Sequence, residues 1–157
     1  LTALSDHLIE QMLDAGHLQL HPLDRAEQLT PNGIDLVCDT VKGQASRWAL
    51  ISTREHIKIP ADLCGTLHAR TTMLRNGFDL NFGLVDAGFN GNLTFQVVYH
   101  GDDASGIRAL ERKLENHLLN ERVCQLTLHA LDEPAQFTYE ERSGNYQDQE
   151  GITEAQS

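Results

Sequence analysis

Short runs in which apolar and polar residues alternate, cut apart by glycine and proline, recur along this chain and restrict it to architectures built from short strands. The clearest run is Asn92 to Tyr99, where Leu93, Phe95, Val97 and Tyr99 alternate with Thr94, Gln96 and Val98. Ile34, Leu36 and Cys38 alternate behind the turn at Thr30-Pro-Asn-Gly33. Asp35 falls on the opposite face, where an acid is most simply a solvated edge residue. The segments 17–21, 48–51, 57–59 and 122–130 read as further strands. Such a series favours a sandwich, jelly roll or barrel over a βαβ fold.

Two stretches depart from this period. Ser5 is a good N-cap for a helix striped by Leu8, Ile9, Met12 and Leu13 and closed by Gly16. Ile107, Leu110, Leu114 and Leu118 then recur at helical spacing behind Ser105, which predicts a capped helical insertion over 104–119; a long β-hairpin arm is the other reading. After Pro134 the chain turns polar, and 139–157 is expected to be a flexible tail unless a ligand or a neighbouring subunit orders it. A length of 157 residues suits a single domain spanning 1–157.

The formal net charge of -11 argues against a nucleic-acid partner, since a phosphate polymer needs a basic face. Cys38, Cys64 and Cys124 form no Cys-x-x-Cys pair, and the eight histidines form neither His-Glu-x-x-His nor the zinc-deaminase signature. They point to a reducing compartment. With no apolar run of membrane-spanning length and no signal peptide, a cytoplasmic protein without a membrane partner is expected.

Chemistry concentrates between Ala69 and Gly91. Arg70 and Arg75 supply forked donors for phosphate oxygens, and Thr71 and Thr72 add hydroxyls. Asp86, beside the small residues Ala87 and Gly88, is a carboxylate able to orient a water. Each alone fits a surface ion pair or a turn; together they suit a small, dense phosphate ligand.

The order of the motifs resembles the superfamily of trimeric dUTPases and dCTP deaminases over most of the chain. Pro31-Asn-Gly-Ile-Asp-Leu36, Arg70-Thr-Thr-Met-Leu-Arg75, Val85-Asp-Ala-Gly-Phe-Asn-Gly91, Arg122-Val-Cys-Gln-Leu126 and the segment 144–151 are similar to its five motifs in sequence. The resemblance implies a mainly β, distorted jelly roll, a homotrimer with interfacial active sites, and a deoxynucleoside triphosphate as substrate. It further implies that Arg70, Thr71, Thr72 and Gln125 hold phosphates, that Arg75 lies beside the nucleotide, and that Phe89 packs under the deoxyribose. Tyr146 and Gln149 would reach the nucleotide from the tail. Asp35 would support the site and its metal–water network, with Mg²⁺ held by the triphosphate and by no direct protein ligand.

The family's two reactions need different carboxylates. Hydrolysis of the triphosphate to monophosphate and pyrophosphate uses the acid that Asp86 matches, whereas deamination uses a glutamate where this chain has Gln96. An amide has no titratable proton for acid–base work. The sequence therefore favours a dUTP-type diphosphohydrolase. The alternatives are a dCTP deaminase or bifunctional enzyme, with Gln96 natural or introduced, and a non-catalytic nucleotide-binding trimer. Asp79, Asn81 and Asn145, the short 42–47 loop and the insertion depart from the family pattern and bear on base specificity.

Overall fold

The computed structural model describes residues 2–102, 105–142 and 144–156. Ala104 at the start of the expected insertion, and Ser143 and Ser157 in the expected tail, lie outside the described residues. Helix α1 (Asp6–Asp14) begins as predicted, with the Ser5 hydroxyl accepting the Leu8 N–H. Its Ile9 is fully buried. Strand β1 (Gln19–His21) leads through α2 (Arg25–Gln28), capped by Asp24, into β2 (Leu29–Thr30) and β3 (Gly33–Gly43). Then follow β4 (Trp48–Thr53), β5 (His56–Lys58), β6 (Leu63–Ala69), α3 (Thr71–Arg75), β7 (Phe78–Asn81), β8 (Asn90–Gly91) and β9 (Thr94–Tyr99). Helix α4 (Ile107–Leu118), β10 (Arg122–Ala130) and α5 (Tyr139–Arg142) complete the order.

The strands form two antiparallel sheets: a small one ordered β1-β5-β8 and a large one ordered β6-β10-β3-β4-β9-β7, with β2 beside β3. This is the mainly β, distorted jelly-roll class. The apolar face of each strand closes on one core that includes Ile34, Ile51, Val97, Leu126 and Leu128.

The long strand β3 organises the large sheet by changing partners along its length. Ile34 to Val37 pair with β10, and Cys38 to Gly43 pair with β4, with irregular register on both sides of the change. Asp35 is therefore central and 5 % exposed, which corrects its reading as a solvated edge residue: it lies opposite Gln125 inside the sheet. β3 also continues to Gly43, taking over the start of the expected loop.

The insertion is helical. Leu110, Leu114 and Leu118 are fully buried, and Ile107 approaches Gly43 of β3, whose N–H donates to Glu111 at 2.7 Å. Each buried leucine contributes roughly 1.5–3 kcal/mol of transfer free energy. The cap expected at Ser105 is displaced: the helix opens at Ile107 from Gly106, without a side-chain cap bond. Among the described residues, no helix is long and apolar enough to cross a membrane.

Candidate functional site

The predicted site residues, Gln96 apart, gather in two groups on different parts of the fold. The first is centred on Asp35. Its Oδ2 lies 3.3 Å from Nε of Arg70 and 3.5 Å from a guanidinium nitrogen of Arg122. Arg70 arrives there because it follows the last residue of β6, which pairs with β10 at Cys124; Arg122 opens β10 opposite Val37. Both arginines are braced by backbone: Arg70 donates to the Arg122 carbonyl at 3.2 Å, and Arg122 to the Glu27 carbonyl at 2.7 Å. Burial pushes the Asp35 carboxyl above its ordinary value, opposed by the two guanidiniums. Gln125 donates to the Thr30 hydroxyl at 2.7 Å. Thr71, Thr72 and Arg75 lie exposed on α3, beside this group.

The second group surrounds a cavity of about 810 Å³. Trp48, Leu50 and Phe89 supply apolar wall, Asp86 lines it with an exposed carboxylate, and Tyr146 and Gln149 line it from the C-terminal segment. Phe89 is 5 % exposed and makes an edge contact with Tyr139 at 5.6 Å between ring centroids. Asp86 is placed by a bridge between Val85 and Gly65 of β6, and by a turn in which its carbonyl accepts the Phe89 N–H at 3.1 Å.

Residues 144–156 run across this region as a strap. The Asn92 N–H donates to the Gln149 carbonyl at 2.9 Å, the Asp148 N–H to the Asn90 carbonyl at 2.6 Å, and the Thr153 N–H to the Thr94 hydroxyl at 3.1 Å. Lys42 pairs with Glu154 at 2.6 Å. The Gln149 side-chain amide donates to the Asn92 carbonyl, while its Oε1 is buried and, among the described residues, has no hydrogen-bond partner. An acceptor left in that state is costly unless a ligand or water supplies a donor.

Gln96 does not line the cavity. Its Oε1 accepts from the Asn81 side chain at 2.8 Å, across the pairing of β9 with β7.

The two groups are separated along β6. Arg70 stands five residues beyond Gly65, the partner of Val85, so roughly 16 Å of strand divides the arginines from Asp86 at about 3.3 Å per residue. The Arg70 guanidinium, turned onto Asp35, and the Asp86 carboxylate therefore belong to different parts of the fold. Residue patterning missed Glu55 and Gln28, which are buried polar partners behind β3, and it did not single out Arg122 beside Asp35. An arginine opening a strand is a weak signal for the last; nothing local marks the first two.

A family model described as dCTP deaminase-like matches residues 44–109. A dCTP deaminase of the dUMP-forming kind from Persephonella marina is 30% identical over 183 aligned positions, covering 96% of this chain and 94% of the relative. The chain belongs to the dCTP deaminase-like family. Because that alignment is longer than the chain, the relative carries segments that this family member lacks. The dCTP deaminase of Campylobacter fetus is 31% identical over 122 residues, covering 78% of this chain; the aligned part spans 60% of the relative's length.

Among solved structures, the 2′-deoxycytidine 5′-triphosphate deaminase of Agrobacterium tumefaciens superposes with a TM-score of 0.61 at 12% identity, covering 82% of this chain and 48% of that one. A dUTPase from phage phi11 of S. aureus superposes at 0.52 with 18% identity, covering 74% and 92%. These two share the fold of this chain.

Proposed function

We propose that this chain processes a pyrimidine deoxynucleoside triphosphate as a dCTP deaminase-class enzyme of the dUMP-forming kind. The relatives' names favour this over the plain dUTPase expected from the sequence. Conversion of dCTP to dUMP comprises loss of an amino group and release of the terminal phosphates. The side chains present equip the second step: the exposed Asp86 carboxylate on the wall of an apolar cavity, with Phe89 beside it, is the observation that carries the reading. Such a carboxylate orients a water towards phosphorus, and positioning with charge neutralisation supplies most of the catalysis. In this reading Phe89 packs against the sugar, Tyr146 and the free acceptor of Gln149 meet the nucleotide from the strap, Arg70, Thr71, Thr72 and Gln125 face its phosphates, and Arg75 lies beside the nucleotide.

The separation along β6 supports a homotrimer in which the arginine group of one subunit meets the cavity of its neighbour. Among the described residues, no cluster of three or more His, Cys, Asp or Glu side chains is arranged to hold a metal. The half-buried arginine group and the turned-in Asp35 suit Mg²⁺ that arrives on the triphosphate. When bound, the ion would neutralise phosphate charge.

Gln96 contributes a hydrogen bond and no proton transfer, so deamination by the present chain is expected to be slow. The test measures diphosphate and ammonia release from dCTP and dUTP. Diphosphate release that Asp86→Asn abolishes, together with ammonia release from dCTP gained in Gln96→Glu, supports both halves of the reading. Full hydrolysis in Asp86→Asn overturns the first half, and no ammonia from Gln96→Glu overturns the second.

A further inference from the structure

Glu55 is a fully buried carboxylate on neither wall of the cavity. It follows β4 and lies behind the point where β3 exchanges β10 for β4, beside Val37, the last β3 residue paired with β10. The carboxylate accepts the Val37 N–H at 3.1 and 3.2 Å. It also accepts from Gln28 at 2.8 Å, and the same Gln28 nitrogen donates to the Asp35 carbonyl at 2.9 Å. The other end of Gln28 accepts the Asp24 N–H at 2.9 Å, so the amide cannot flip without breaking bonds on both sides. On its backbone side, the Glu55 carbonyl accepts from the Asn92 side chain at 3.0 Å, and the Asn92 N–H holds the strap at Gln149.

We propose that Glu55, acting through Gln28, is a positioning residue that fixes the segment of β3 presenting Asp35, and thereby sets the guanidiniums of Arg70 and Arg122 for an anionic ligand. Gln28 and Glu55 carry no solvent-facing function: they are 1 % and 0 % exposed. A buried carboxylate is expensive, and an apolar residue with a simpler strand partner would serve a core alone. Here the carboxylate accepts the Val37 N–H where the strand changes partner and orients the amide that holds Asp35 by its backbone. Burial pushes the Glu55 carboxyl up, while its bonds to backbone and to Gln28 oppose that shift. The ligand is a polyphosphate; this rests on the functional reading above.

The experiment measures inorganic tripolyphosphate and dCTP binding by calorimetry in the full chain, in Glu55→Gln, in Gln28→Leu and in Arg70→Ala. Glu55→Gln sets an amide donor against either the Gln28 amide or the Val37 N–H, and Gln28→Leu removes the bridge while keeping the Glu55–Val37 bond. Each is expected to weaken tripolyphosphate binding by about tenfold or more, since displacements of about 1 Å at a positioned group have effects of that size. The loss in Glu55→Gln combined with Arg70→Ala is expected to fall short of the sum, because both act on one guanidinium group. Folded Glu55→Gln and Gln28→Leu that bind tripolyphosphate like the parent overturn the inference, as do fully additive losses. If Glu55→Gln does not fold, Gln28→Leu decides by the same criterion. A parent chain that binds neither probe overturns the functional reading instead.

Discussion

Replacing Gly91 by alanine tests whether the strap over the cavity is held by its own chain. Gly91 has φ of +153°, and a Cβ built there would lie 3.0 Å from both the nitrogen and the oxygen of Gln149. Those are backbone atoms, so the strap must move. The backbone strain alone is about 1–3 kcal/mol. Displacing Gln149 by a few tenths of an ångström also strains its carbonyl's bond to the Asn92 N–H and its side-chain bond to the Asn92 carbonyl, and loss of both sets the upper limit of the effect. At about 0.5–1.5 kcal/mol net for each bond, that limit is roughly 1–3 kcal/mol, confined to the strap. Gly151→Ala is the control: φ is +59°, and nothing lies within 4 Å of its added Cβ. It carries only the left-handed strain of about 1–2 kcal/mol. Amide hydrogen exchange at Asn92 reads the difference, with local opening accelerated by up to about 5- to 150-fold in Gly91→Ala relative to Gly151→Ala. Equal protection of Asn92 in the two variants would refute the reasoning.

Two further outcomes are expected. Leu114→Ala, in the fully buried row of α4, should destabilise the fold by about 2–5 kcal/mol in denaturant melts, whereas a loss near zero would mean that the insertion is not part of the core. The raised Glu55 carboxyl binds its proton more tightly folded than unfolded, so its contribution to stability is fully present below the unfolded value of 4.5 and is lost as pH rises through the folded value. Stability measured upward from pH 4.5 should therefore fall more steeply in the parent than in Glu55→Gln; identical slopes would contradict the assignment.

Much of the fold was legible because strand and helix periods are local properties. The run 122–130 forms a strand with those bounds, and the leucines spaced through 107–118 form the buried row of α4. Chemical type was legible as well: Arg70, Asp86 and Phe89 belong to motifs whose order resembles the family to which the chain belongs. Burial was less so. Asp35 reads as an edge acid in a window of a few residues, yet the pairing of β3 with β10 brings two arginines distant in sequence against it. Ser105 reads as a cap, but the chain enters α4 through Gly106.

By itself the sequence determined the strand-rich class, the helical insertion, the motif order and the amide at position 96, because each depends on residue type and spacing within a short segment. Tertiary structure alone decided that Asp35 is buried against Arg70 and Arg122, that Asp86 lies some strand length away on a different wall, and that Glu55 accepts the Val37 N–H where β3 changes partners. These are contacts between residues far apart in the chain. Sheet register and the demand that every buried polar group find a partner create them, and neither can be read from local periodicity.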